Sequence, residues 1–267
     1  MTPRLLLFDL DGTLLGPTRS VSEENARALQ RAMDLGIRVG FATGRSLRSA
    51  RPWIEELDPT GPLILFNGGM VWDLATERPL LERRLPRADA LAALEVVAEL
   101  GVHANLYLGR AIAIGRSSQT AKTSEIKDGV PHTVVGDLVA HLDQQDSDPF
   151  KILCIDESGG IEALADRLGP VLSCGSVLVN SEPSYLEVLP PGVSKGAALS
   201  VVESHTGISQ GEIIAFGDGL NDTELLEQCG VGVAMGNAHP RLRECADVVI
   251  GSHETDAIAG FLAAQVG

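Results

Sequence analysis

The stretch RLLLFDLDGTLL, residues 4–15, decides how the rest of the chain is read. A short apolar run leads straight into Asp9, Leu10 and Asp11, and Gly12 and Thr13 follow at once. The run is continuously apolar rather than alternating, as in a strand covered on both faces within a parallel sheet. Side chains alternate along a strand, so Asp9 and Asp11 share a side if the extended geometry persists. Two like charges so placed repel, and each resists desolvation. A polar turn accounts for them equally well, because Asp-Gly is a common turn dipeptide. A site requires a positive partner, a metal or a phosphate supplied from elsewhere in the chain.

Five further runs repeat the apolar pattern: IRVGFA (37–42), PLILF (62–66), EIIAF (212–216), VGVAM (231–235) and ADVVI (246–250). Between the first two strands lies SVSEENARALQRAMDLG (20–36). Here Ser20 and Glu23 are spaced for a capping box, and Gly36 sits where a helix end calls for positive φ. SKGAALSVVESHTG (194–207) has the same grammar, with Ser194 as N-cap, Lys195 in the first turn and Gly207 as the stop. Strands and helices alternating at this spacing predict an α/β fold with a doubly wound parallel-sheet, Rossmann-like core.

The middle of the chain reads differently. Residues 68–86 suggest a hairpin leading out of the core, followed by a helix over about 88–100 and strand-like runs at 102–108 and 111–115. A Gly- and Lys-containing loop near 116–130, a short helix, FKILCID (150–156), another helix, SVLVNS (176–181) and SYLEVLP (184–190) complete the block. About 100 residues of mixed α/β make a domain of ordinary size. The expected division is a discontinuous core of residues 1–83 and 186–267 and an inserted α/β domain of 84–185.

Of the 267 residues 44% are hydrophobic and 21% charged, which suits a folded globular chain with a substantial core. The net charge of −15 argues against nucleic acid or an anionic membrane as a partner. Cys154, Cys174, Cys229 and Cys245 are scattered, which disfavours a disulfide framework or a zinc site and suits a reducing compartment. No apolar run reaches the length of a signal core or a membrane span, so the expected location is the cytoplasm.

Three more stretches sit at strand exits or helix starts, where open α/β sheets bind their ligands. FATGRS (41–46) offers the Thr43 hydroxyl, a close-approach backbone N–H at Gly44 and the Arg45 cation. FGDGLND (216–222) offers Asp218, Asn221 and Asp222. A lysine in the first turn of a helix opposes the helix dipole, unless an anion is shared between Lys195 and the helix N-terminus. Each stretch alone is weak, but together they supply oxygen ligands, a hydroxyl, backbone donors and a cation. Carboxylate oxygens without soft ligands favour a hard ion such as Mg²⁺, and the set describes a phosphoryl-transfer site.

DLDGT, TGR, the lysine of GVSKG and GDGLND, in that order, resemble the four motifs of the haloacid dehalogenase superfamily. The insertion after LFNGG, with AFGDGLND and GVAMGNA, resembles its Cof-like type-IIB phosphatases. The resemblance implies Asp9 as nucleophile, Asp11 as general acid and base, and Mg²⁺ held by Asp9, the Asp11 carbonyl and Asp218 with Asp222 nearby. It implies that Thr43, Gly44, Lys195 and Asn221 cradle the phosphoryl oxygens. Arg45 faces the phosphate or forms a salt bridge, and Asn67 organises its loop or touches substrate. The middle block becomes a cap, with Asn105, Tyr107, Lys127, Asn180 and Tyr185 as candidate readers of the leaving group. Two tryptophans and two tyrosines make no broad aromatic platform, so the partner expected is a small phosphorylated metabolite. A sugar phosphomutase is the chemical alternative and a receiver-type phosphorylation switch the structural one. A dinucleotide-binding module lacks its G-x-G-x-x-G after the first strand. Oligomeric state is not readable from the sequence.

Overall fold

The computed structural model describes residues 3–266. Two compact units emerge: one runs to Gly44, covers Ala50–Glu82 and resumes at Ser194, and the other comprises Arg45–Ser49 and Arg83–Val193.

The first unit begins with β1 (Leu5–Phe8), α1 (Glu23–Asp34), β2 (Arg38–Ala42), α2 (Leu47–Leu57, whose start belongs to the second unit), β3 (Leu63–Leu65), β4 (Met70–Asp73) and β5 (Arg78–Glu82). The second unit holds α3 (Arg87–Leu100), β6 (His103–Tyr107), β7 (Ile112–Ile114), α4 (Gln119–Asp128), β8 (His132–Val134) and α5 (Leu138–Asp143). It continues with β9 (Lys151–Ile155), α6 (Ile161–Leu168), β10 (Val177–Glu182) and β11 (Tyr185–Leu189). The first unit is completed by α7 (Leu199–Thr206), β12 (Ile213–Gly217), α8 (Thr223–Gln228), β13 (Val231–Ala234), α9 (Pro240–Cys245), β14 (Val248–Val249) and α10 (Ala257–Val266).

Its eight strands run in the order β14-β13-β12-β1-β2-β3-β4-β5. The ladders from β14 through β3 are parallel, and β4 and β5 add an antiparallel hairpin at one edge. The hairpin expected to lead out of the core therefore extends the core sheet. Leu5, Leu6, Leu7 and Phe8 are wholly buried because both sheet faces are covered. Leu5 and Leu7 pack with Leu199, Val202, Leu225 and Leu226 of α7 and α8. On the opposite face Phe8 stacks on Phe216 at 4.5 Å, and Phe216 meets Phe261 of α10 edge-on at 5.6 Å. Burying four such side chains contributes on the order of 6–12 kcal/mol before chain entropy is counted.

Helix α1 starts two residues later than the capping-box reading: Ser22, not Ser20, accepts from the Asn25 N–H at 3.2 Å. Glu23 and Glu24 then lie in the first turn, where the helix dipole favours them.

The second unit is built on a six-stranded sheet, β10-β11-β9-β6-β7-β8, antiparallel except between β7 and β8. Ala104, Leu106, Ile152, Cys154, Leu186 and Val188 pack against α3 and α6. The alternate positions Asn105, Tyr107, Lys151 and Glu187 are also buried, but polar. Lys151 Nζ donates to Glu187 at 2.6 Å, Asn105 Nδ2 to Ser124 Oγ at 2.7 Å, and Tyr107 OH to Asp128 at 3.1 Å. Ser124 and Asp128 lie on α4, a helix where a loop was expected. Its sequence shows no apolar periodicity because the face it buries consists of Ala121 and Ser124. The expected exit at 185–186 also moves: β11 is hydrogen-bonded to both β9 and β10, so the unit continues to Val193. Among the described residues, no helix is long and apolar enough to cross a membrane.

Candidate active site

Register places the site. Phe8 pairs with Phe41 of β2 and with Phe216 of β12, so the carboxyl ends of β1, β2 and β12 finish in one row. β1 is where strand order turns back on itself, the position at which open α/β sheets bind ligands. Asp9 follows β1, Thr43 follows β2 and Asp218 follows β12.

Extended geometry does not persist to Asp11. After Asp9 the chain turns: the Leu14 N–H donates to the Asp9 carbonyl at 3.2 Å and the Leu15 N–H to the Leu10 carbonyl at 2.8 Å. The turn requires glycine at position 12, where φ is +79° and a Cβ would come 2.3 Å from Asp218 Oδ2. Thr13 Oγ1 donates to Asp218 Oδ1 at 2.9 Å, tying the first motif to the last. The sequence reading assigned Thr13 no role, although the DGT triplet was the available signal.

Lys195 is not in a helix. It lies in a turn before α7, and Ser194 caps that turn by accepting from the Ala197 N–H at 2.9 Å. The objection of an ammonium at a helix N-terminus therefore falls away. Lys195 Nζ instead donates to Asp9 Oδ1 at 2.7 Å and Asp222 Oδ1 at 2.6 Å. The side chains of Lys195 and Asp222 have no exposure, and that of Asp9 has 9%. Asp9 keeps only a small solvent-reached face, and Asp218 is the more exposed acid of the cluster. Asp222 Oδ2 accepts from the backbone N–H groups of Asp218 and Gly219, both at 3.0 Å. Those donors and Lys195 engage both oxygens of Asp222, so it holds the lysine and the 218–219 turn.

Carboxylate oxygens of Asp9, Asp218 and Asp222 lie within 4.8 Å of one another, a set that does not include the Asp11 carboxylate. Burial pushes Asp9 well above the usual carboxylate range, Lys195 opposes this, and Asp222 and Asp218 add to it. Burial, then Asp222, raises Asp218 to about 6 against the pull of Thr13 and Lys195. Burial alone would discharge Lys195, but Asp222 and Asp9 override it and hold the ammonium above its usual range. One cation among three acids leaves uncompensated negative charge, and the donors are all hard oxygens. That donor set fits Mg²⁺.

Thr43 is buried, and its carbonyl accepts from the Asn67 N–H at 3.0 Å. Phe66 and Asn67 adopt φ of +51° and +56°, a costly run for residues with side chains. Gly68 follows at +99°, where a Cβ would lie 2.1 Å from the Ser194 carbonyl oxygen. This strained loop sets the Asn67 amide beside Gly44, and Asn67 Oδ1 accepts from Asn221 Nδ2 at 3.0 Å. Arg45 is committed elsewhere: Nη1 donates to Ser49 Oγ at 2.7 Å and to the Lys127 carbonyl at 2.9 Å, within the second unit. Of the candidate readers, Asn105 and Tyr107 are buried in that unit's polar layer. Asn180 ties the β10–β11 hairpin through the Glu182 and Tyr185 carbonyls. Lys127 pairs with Glu182 and lies 4.4 Å from the centre of the Tyr185 ring.

Residues 6–262 match the haloacid dehalogenase-like hydrolase family. The chain is 31% identical over 270 residues to a pyridoxal phosphate phosphatase of Escherichia coli, covering 98% of each. It is 28% identical to a 5-amino-6-(5-phospho-D-ribitylamino)uracil phosphatase of Bacillus subtilis, over 96% of this chain and 93% of that one. The crystal structure of a haloacid dehalogenase-like hydrolase from Bacteroides thetaiotaomicron is similar with a TM-score of 0.89 at 26% identity, covering 98% of this chain and 99% of that one.

Proposed function

We propose, for a chain that belongs to the haloacid dehalogenase-like hydrolases and is a phosphatase of that family, Mg²⁺-dependent hydrolysis of a small phosphomonoester by way of a phosphorylated Asp9. The observation that carries this is the Lys195 clamp: an ammonium bonded to Asp9 at 2.7 Å and Asp222 at 2.6 Å. It holds the Asp9 carboxylate in a single orientation beside the half-buried Asp218.

In this reading Asp9 attacks phosphorus and the alcohol leaves, taking its proton from Asp11. Asp11 then takes a proton from the water that attacks phosphorus and returns Asp9 to its free form. A carboxylate nucleophile divides one difficult displacement into two easier ones, and a positioned acid–base group contributes about 10²–10⁴-fold. Asp9 and Asp218 would hold Mg²⁺ with the Asp11 carbonyl, and Asp222 acts through Lys195 and the 218–219 turn. The ion, when bound, offsets charge on the transferring phosphoryl oxygens. Thr43, the Gly44 N–H, Lys195 and Asn221 supply the remaining donors, with Asn67 holding Asn221. Arg45 is left out of the phosphate set because its Nη1 is bonded elsewhere.

The substrate class is a small phosphorylated metabolite, a sugar phosphate or similar. The relatives support small substrates, a cofactor phosphate in one and a ribityl phosphate in the other. Four cysteines, all free thiols, suit the cytoplasm as the place of action. The test is phosphate release from a panel of sugar, glycerate, nucleotide and cofactor phosphates, with and without Mg²⁺, beside an Asp9→Asn protein. Mg²⁺-dependent turnover lost in Asp9→Asn is expected. An Asp9→Asn protein as active as the wild type would falsify the nucleophile. Transfer of the phosphoryl group to sugar rather than water would favour the phosphomutase.

A further inference from the structure

Asn237 lies outside the four motifs, in the GNA triplet after β13, and its side chain is solvent-exposed. Both ends of its amide are nevertheless engaged. Nδ2 donates to the Gly12 carbonyl at 2.8 Å, and Oδ1 accepts from the His253 N–H at 2.9 Å. His253 grips the same loop further on. Its Nδ1 lies 2.9 Å from the Leu15 carbonyl, which can only accept, so this nitrogen carries the proton. Asn237 and His253 together thus hold two carbonyls of the turn that begins at Asp9.

The 12–13 peptide unit is held at both ends: the Gly12 carbonyl by Asn237 and the Thr13 N–H by the Leu10 carbonyl at 3.3 Å. Its plane sets where Thr13 stands, and Thr13 Oγ1 is the donor on Asp218. It also sets the packing of Gly12 against the Asp218 carboxylate. An exposed side chain is therefore linked to the half-buried Asp218 carboxylate through one peptide plane.

We propose that Asn237 is a positioning residue for the Asp218 carboxylate and the Asp11 turn, with His253 as its anchor. The inference rests on the phosphatase reading only in what Asp11 and Asp218 are positioned for. Outer partners of a metal-binding carboxylate typically matter by about 10–100-fold in affinity or activity. Asn237 acts one step further out, so the low end, about tenfold, is expected.

The experiment compares wild type with Asn237→Ala, Asn237→Asp and His253→Ala. It measures Mg²⁺ affinity by calorimetry, kcat and KM on p-nitrophenyl phosphate, and Tm. Asn237→Asp keeps the acceptor for His253 and loses the donor to Gly12, so it separates positioning from simple strapping of the two loops. Both Asn237 variants should weaken Mg²⁺ binding and lower kcat by about tenfold, with KM and Tm little changed. His253→Ala, which keeps the backbone bond to Asn237, should show a smaller change in the same direction. An Asn237→Asp protein indistinguishable from wild type overturns the proposal. So does a fall in Tm with Mg²⁺ affinity and kcat unchanged. A wild type that binds Mg²⁺ but releases no phosphate sinks the phosphatase reading while the affinity measurement still decides the role of Asn237. A wild type that binds no Mg²⁺ overturns both.

Discussion

Replacing Lys195 by methionine removes the ammonium that bridges the buried Asp9 and Asp222. The ammonium bonds Asp9 at 2.7 Å and Asp222 at 2.6 Å, and neither it nor Asp222 is exposed. Without it two carboxylates face each other with little water to hydrate them. Breaking a buried pair on one side costs about 3–5 kcal/mol. At about 2–4 °C per kcal/mol for a chain of this size, Tm should fall by about 6–20 °C. The loss must also depend on pH. Lys195→Met pushes the folded-state pKa of Asp9 further above its unfolded value, near 3.9 for a free Asp. A carboxylate raised in this way binds a proton in the folded state that the unfolded chain has released. Stability of the variant therefore declines as pH rises from about 4 and is lowest at neutral pH. The assay is urea unfolding of both proteins between pH 4.5 and 8 in chelator, since a divalent cation would partly replace the ammonium. Adding Asp222→Asn to the variant should recover part of the loss, because one of the two facing charges is gone. A variant within 1 kcal/mol of wild type at neutral pH, or a loss that is flat with pH, would refute the reasoning.

Asp218 titrates at about 6, so protons should compete with Mg²⁺ below that pH. The half-saturating Mg²⁺ concentration should rise up to about tenfold per unit of acidification, measured by calorimetry from pH 5 to 8; a flat profile would remove Asp218 from the metal site. Gly12→Ala must place a Cβ 2.3 Å from Asp218 Oδ2 at a φ of +79°. It should cost at least about 1–2 kcal/mol by urea unfolding and abolish turnover, and normal activity would show that the turn is not rigid. In the second unit, Glu187→Gln leaves Lys151 buried without its 2.6 Å carboxylate and should cost about 3–5 kcal/mol, whereas a Lys151→Met/Glu187→Leu pair should cost far less. Burial lowers His103 below its usual range against the Asn105 hydrogen bond, so the unfolded chain takes up a proton that the folded state refuses. Stability should therefore drop as pH falls through about 6.5, and His103→Gln should flatten that drop in acid unfolding.

The core was legible because its strands are buried on both faces, and the continuous runs at Leu5–Phe8 and Ile213–Gly217 carry that signal by composition alone. The site was legible because its residues cluster at strand exits in short, dense motifs. What escaped had a physical reason in each case. Lys195 belongs to a turn whose serine cap imitates a helix start, and α4 buries alanine and serine where an apolar stripe would announce a helix. Arg45 finds its partners at Ser49 and Lys127, and no local pattern reports a contact across 82 residues. Asn237 meets Gly12 across 225 residues and is exposed, so composition could not single it out.

The sheet order carries a consequence for how the chain is made. β1 lies between β2 and β12, and β12 begins at Ile213. A nascent chain can complete β1 through β5 and the whole second unit while the other side of β1 has no partner. At about 5–20 residues per second, the roughly 200 residues between β1 and β12 take about 10–40 s to synthesise. Throughout that interval a strand that ends wholly buried has a bare edge, the feature that invites pairing with another chain. The second unit, almost wholly contiguous from Arg83 to Val193, can settle first, and closure of the sheet waits for the last fifth of the protein.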